Sequence, residues 1–154
     1  MKYKKAIDTI YNTLKKVQTR DGLLPTFMNP VTGEAAHGDL SMGAMADSYY
    51  EYLLKMWIQS GKKDEVGITE SVNMQTLRRM YNEAVEGMTK RLLKRTPSGL
   101  LYCGLDRGTN HFKAEMGHLT CFLGGMLALG VLHNVNPATA DRDLANAKSL
   151  GLCF

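Results

Sequence analysis

Apolar residues recur at three- and four-residue spacing in five stretches of the chain, and turn-forming residues separate them. Tyr3, Ile7, Ile10, Tyr11, Leu14 and Val17, with lysines between, predict an amphipathic helix over 3–17 that ends at Asp21-Gly22. From Leu23 to Asp39, the residues Pro25, Asn29-Pro30 and Thr32-Gly33 favour a loop or irregular hairpin. A second helix is predicted from about Ser41 to Gln59, with Ser41 as its cap and Gly61 just past its end. A third, marked by Met74, Leu77, Met80, Tyr81, Val85, Met88 and Leu92, runs from about Asn73 to Lys94 and stops at Thr96-Pro97-Ser98-Gly99. Leu100 to Ala114 again reads as a hairpin or loop. A fourth helix, about Met116 to Leu132, breaks at Asn134 to Pro137, and a fifth opens near Thr139 or Asp141.

This order repeats. Gly22-Leu23-Leu24 and Gly99-Leu100-Leu101 stand 77 positions apart, and Met42-Gly43 and Met116-Gly117 stand 74 apart, each pair at the same place in its unit. The prediction is an all-α array of helix pairs joined by short hairpin-like loops: two units and the first helix of a third. Such pairs bury their apolar faces against neighbouring pairs, so an array of roughly three or more is usually needed. The last residues, Leu150-Gly151-Leu152-Cys153-Phe154, are apolar where a terminal cap would be polar, and predict that 1–154 is a fragment of one domain.

The composition is that of an ordinary globular chain, 44% hydrophobic and 22% charged over 154 residues. A net charge of +4 is spread over short basic clusters, which favours solvated surface and no nucleic-acid partner. No apolar run approaches the roughly 18 residues of a membrane span, and the N-terminus turns polar and periodic at once instead of opening a leader. Cys103, Cys121 and Cys153 lack the spacing of a zinc site; their odd number leaves room for one disulfide and one free thiol.

The second helix of each unit follows a hairpin loop, so the two N-terminal turns should emerge on one side of the array. Asp47 lies four residues beyond Gly43 in a small, apolar run, and His118 lies one beyond Gly117. A carboxylate in Asp47's setting is either a helix-start acceptor or a functional acid. Glu51, at i+4, could form a carboxylate pair with it, or an ion pair with Lys55. His118 precedes the apolar run Leu119-Thr120-Cys121-Phe122-Leu123, where a histidine is usually a satisfied core group. Tyr49, Tyr50, Tyr52 and Trp57 suit a core, and aromatic rings beside carboxylates also suit sugar faces. His37, His111 and His133 have no partners at useful spacing.

Two longer strings are more specific than any spacing. Met42-Gly43-Ala44 followed by Asp47-Ser48-Tyr49-Tyr50-Glu51-Tyr52-Leu53-Leu54-Lys55 resembles the signature segment of class I α-1,2-mannosidases, glycoside hydrolase family 47. The run from Met116-Gly117-His118-Leu119-Thr120-Cys121 to Gly130 resembles a second block of that family in its Golgi-type wording, and Asp21-Gly22-Leu23-Leu24-Pro25 with Asn29-Pro30-Val31-Thr32-Gly33 resembles the loop before the first. The resemblance implies an (αα)7 barrel, of which this chain would hold about two and a half helix pairs. It also implies inverting, calcium-dependent release of terminal α-1,2-linked mannose from high-mannose N-glycans in the lumen of the endoplasmic reticulum or Golgi. Asp47 then matches an essential active-site aspartate, His118 a histidine near the base of the cavity, and Cys121 with Cys153 a disulfide worth about 3–4 kcal/mol if oxidised.

The chain departs from the family pattern in two ways. Endoplasmic-reticulum members carry an arginine two residues before the aspartate, where this chain has Met45, so a specificity contact to the glycan is altered. The family's other catalytic acids and its calcium-binding threonine belong to segments before and after this stretch, as does the N-terminal membrane anchor. The expectation is therefore no metal ligands in this chain and no activity from it alone. Two other readings fit the same residues, a non-hydrolytic mannosidase-like module for glycan binding or glycoprotein quality control, and a helical scaffold without a site.

Overall fold

The computed structural model describes residues 2–36, 38–68, 72–107 and 111–152. Five α-helices carry most of it: α1 (Lys2–Val17), α2 (Asp47–Gln59), α3 (Met74–Gly87), α4 (Phe122–Leu132) and α5 (Ala140–Gly151). Four short strands, β1 (Leu93–Arg95), β2 (Leu101–Cys103), β3 (Leu105–Asp106) and β4 (Phe112–Lys113), form two antiparallel pairs. The expected all-α class is thus corrected to a mostly helical fold with two small sheets.

The first three helices form around residues the apolar pattern marks. On α1, Tyr11 donates its hydroxyl to Met56 Sδ at 2.9 Å, seating the helix against α2. The chain leaves α1 through Gly22 at φ +77°, where a Cβ would run into the backbone of Glu83 on α3. Gly99, its repeat equivalent, is also left-handed at φ +93°. On α2, Tyr50, Leu53, Leu54 and Trp57 are buried at positions i, i+3, i+4 and i+7, the stripe of a core-facing helix. α3 starts where the third helix was expected, and Asn73 caps it: its Oδ1 accepts the Thr76 amide at 2.9 Å.

Three predicted boundaries move. The helix expected from Ser41 begins at Asp47, because Ser41 Oγ takes the Gly43 amide at 2.9 Å in a tight turn and Met45 adopts φ +74°. The third helix leaves α geometry at Gly87, passes through a π turn at Met88–Leu92 and becomes β1, whose Leu93 pairs with Cys103 and Arg95 with Leu101. The fourth begins as a 3₁₀ turn, His118–Cys121, before α4.

The two inter-helix loops meet at one end of the molecule. Leu40 and Asp106 exchange backbone hydrogen bonds of 2.7 and 3.1 Å, joining the loop before α2 to the β3–β4 hairpin. Arg91 ties the same end together through ion pairs to Asp21 and Asp106. One continuous core holds Leu23, Leu53, Leu77, Met88, Leu123 and Leu150, so residues from both units share it. Among the described residues no helix is long and apolar enough to cross a membrane.

Candidate functional site

The turns that open α2 and the His118 segment lie side by side, as the repeat predicts. They share a cavity of about 330 Å³, with Gly43 and Met45 on one wall and Met116, Gly117 and Thr120 on the other. Ser41, Phe27, Asp39 and Glu115 line it too, with Thr26, Ala44 and Leu105, so a few polar groups stand among a mostly apolar surface, and neither Asp47 nor His118 lines it. Its size falls near the lower end of the roughly 300–1,000 Å³ range of ligand pockets.

Asp47 stands at the first position of α2, half-buried, and not inside an apolar helix run as the spacing suggested. Its amide donates to the Gly43 carbonyl at 2.8 Å, and its Oδ1 accepts the Ser48 amide at 2.9 Å. Among the described residues it has no ion-pair partner. A carboxylate held this way keeps acceptor capacity for a water or a sugar hydroxyl.

Glu51 takes the second of its two expected arrangements. It is paired with Lys55, and that hydrogen bond raises the lysine's affinity for its proton. It therefore brings no free second carboxylate to Asp47. Met45 is 66% exposed on the cavity rim, two residues before Asp47. His118 is exposed at the start of its 3₁₀ turn, which corrects the expectation of a core histidine. The aromatic run divides: Tyr50 and Trp57 are core, whereas Tyr52 is 56% exposed because position 52 falls opposite the buried stripe.

Trp57 is also tied by its indole N–H to Asp64 Oδ1 at 2.9 Å, and Asp64 pairs with Arg78, whose guanidinium lies 5.8 Å from the Trp57 ring centroid. This network holds the far end of α2 and takes no part in the cavity. Asp39, Glu115, Phe27 and Thr120 were not singled out by the sequence. The 74-residue offset that equates Gly43 with Gly117 was the signal that could have found Thr120, three residues on.

Among the described residues, no three His, Cys, Asp or Glu side chains converge to hold a metal, so the residues here do not fit a calcium site. The expected Cys121–Cys153 pairing has its second partner outside the described residues. Cys103 lies buried on β2, and burial pushes its thiol up to about 12.

The model of glycosyl hydrolase family 47 matches residues 1–153, and the chain belongs to that family. It is 38% identical over 137 residues to mannosyl-oligosaccharide alpha-1,2-mannosidase IA of Drosophila melanogaster, covering 89% of this chain and 19% of that protein. It is 41% identical over 121 residues to mannosyl-oligosaccharide 1,2-alpha-mannosidase IB of Mus musculus, covering 79% and 17%. The endoplasmic reticulum mannosyl-oligosaccharide 1,2-alpha-mannosidase of Homo sapiens is 41% identical over 137 residues, covering 87% and 18%. The chain thus spans about a fifth of the length of the relatives it matches.

Proposed function

We propose that this chain is part of an inverting α-1,2-mannosidase that removes terminal mannose from high-mannose N-glycans, and that Asp47 is one of its catalytic carboxylates. The observation that carries the reading is the family match over residues 1–153; Asp47, which keeps acceptor capacity, opens α2 two residues after Met45, which lines the small cavity. The relatives' names, which are those of mannosidases and in some cases of the endoplasmic reticulum, support this reading. A lumenal location and an (αα)7 barrel, to which this chain gives about two and a half helix pairs, belong to the same proposal.

Inversion needs one carboxylic acid to protonate the leaving oxygen and one carboxylate to activate water, roughly 6.5–9.5 Å apart. Asp47, with acceptor capacity left over beside the Ser48 amide, is assigned to one member of this pair. The exposed imidazole of His118 and the thioether of Met45 are placed to meet the glycan, the first by hydrogen bonds and the second by apolar contact. A disulfide between Cys121 and Cys153 would tether the start of α4 to the chain beyond α5. Calcium, when bound, would grip sugar hydroxyls; among the described residues no three His, Cys, Asp or Glu side chains converge to hold it.

The test is release of free mannose from a high-mannose N-glycan in the presence of calcium. The isolated chain is expected to release none, whereas a form carrying the remaining family segments is expected to turn over. In that form Asp47→Asn should lower kcat by about 10²–10⁴-fold, the usual worth of a positioned acid or base. Undiminished kcat in Asp47→Asn would remove this residue from the catalytic set. Glycan binding without mannose release in the complete form would favour the non-hydrolytic reading.

A further inference from the structure

Asp47 and His118 open helical segments in different units, and the turn before Asp47 packs against the turn that His118 opens. Gly43 carries Asp47: its carbonyl accepts the Ala46 and Asp47 amides at 3.1 and 2.8 Å, and its own amide donates to Ser41 Oγ at 2.9 Å. Gly43 is buried, and a Cβ built on it would overlap Thr120 Oγ1. Its φ lies outside the left-handed region, so glycine is required there by the approach of Thr120 and not by a backbone angle.

Thr120 is the third residue of the turn that His118 opens, and it is 3% exposed. Its amide donates to the Gly117 carbonyl at 3.0 Å, and its Oγ1 lies 3.8 Å from where a Cβ of Gly117 would stand. Gly43 and Gly117 are equivalent in the repeat, so one hydroxyl fills the notch between two equivalent glycines. The residue equivalent to Thr120 in the first unit is Ala46, also buried.

We propose that Thr120 is a positioning residue, whose side chain against the bare Cα of Gly43 sets the separation of the Asp47 turn from the His118 turn. Interiors are packed closely enough that a single added methyl must displace one turn against the other. Displacements of about 1 Å at a reacting group can cost roughly a hundredfold in rate. The catalytic consequence rests on the reading of Asp47 and His118 given above; the contact itself does not.

The experiment uses this chain as it stands, in the variants Gly43→Ala, Thr120→Ala, Thr120→Ser and the two double variants, read by amide NMR and thermal unfolding. Gly43→Ala should move the amide resonances of 45–48 and 117–121 together and lower the midpoint by several degrees. Gly43→Ala with Thr120→Ala, which frees the notch, should return both sets toward wild type and recover more than half of the lost midpoint. Gly43→Ala with Thr120→Ser, which keeps Oγ1, should not. Should Gly43→Ala fail to fold, folding of its Thr120→Ala double is the rescue. Shifts confined to the Asp47 turn, or a double variant no better than Gly43→Ala, would overturn the proposal. Failure of a form carrying the remaining family segments to release mannose would count against the mannosidase reading and leave this cycle unaffected.

Discussion

Tyr50 does two jobs with one side chain. Its ring is fully buried in the core, and its hydroxyl accepts the Leu24 amide at 2.8 Å, fastening the start of the first inter-helix loop to α2. Tyr50→Phe keeps the ring and orphans a buried N–H, so the expected loss is about 1–3 kcal/mol in urea-denaturation stability. A loss below about 0.5 kcal/mol would mean that the Leu24 amide finds water instead. At this scale the sequence was informative about what is buried and less so about what faces the cavity. The helical stripe forecasts Tyr50 and Trp57, because burial follows spacing. His118 defeated the same logic: the apolar run after it suggests a core, yet a 3₁₀ turn rotates side chains differently from an α turn, and Leu119 beside it is itself 54% exposed.

Elements were legible where a local signal and tertiary packing agree. Asn73 is such a case, since the apolar stripe marks where α3 starts and a short polar side chain there makes the cap. Its Oδ1 accepts from the Thr76 amide and from the Thr76 hydroxyl, at 2.9 and 2.8 Å. Asn73→Ala should therefore cost about 0.5–2 kcal/mol, measured as a shift in the denaturation midpoint at unchanged m-value. Asn73→Asp, which keeps the acceptor, should lose far less. Ser41 carries the same local signal and makes a different structure. Its hydroxyl closes a turn on Gly43, and with Met45 at φ +74° the helix begins six residues later, at Asp47. The strand at Leu93–Arg95 was hidden for a related reason: its residues continue the helical period of α3, and only their pairing with β2, which is remote information, turns them extended. Gly22 is the sharpest test of a junction. It needs φ +77° and has no room for a Cβ beside Glu83, so Gly22→Ala should destabilise by more than the roughly 1 kcal/mol of an unstrained glycine replacement. A midpoint unchanged in Gly22→Ala would show that the α1–α3 junction is looser than its geometry.

Across the whole molecule, the repeat was readable because identical turns recur at fixed offsets, whereas the cavity was not, because it forms only when two turns 74 residues apart are brought together. The core that joins the two units also sets how the protein should respond to alkali. Cys103 on β2 is buried, and burial raises its thiol from the ordinary 9.0 to about 12. Tyr49, Tyr50 and Tyr81 are pushed above their ordinary 10.0, in each case first by desolvation. A buried acid whose proton is held more tightly in the folded state stabilises that state fully below its unfolded value. As pH rises past that value the unfolded chain ionises first, and the contribution is lost progressively toward the folded value. Stability should thus be insensitive to these groups up to about pH 9, fall from there as the thiol's contribution is lost, and fall more steeply above pH 10 as the tyrosines join. Urea midpoints at pH 8, 9.5 and 10.5 measure the slope. Cys103→Ala should flatten the first interval and lessen the slope of the second, where the tyrosines still contribute, and in the folded wild type Cys103 should resist a thiol reagent at pH 8 that labels it at once in urea. A midpoint that does not move between pH 8 and 10.5 would mean that water reaches these side chains and that the shared core is less closed than its packing shows.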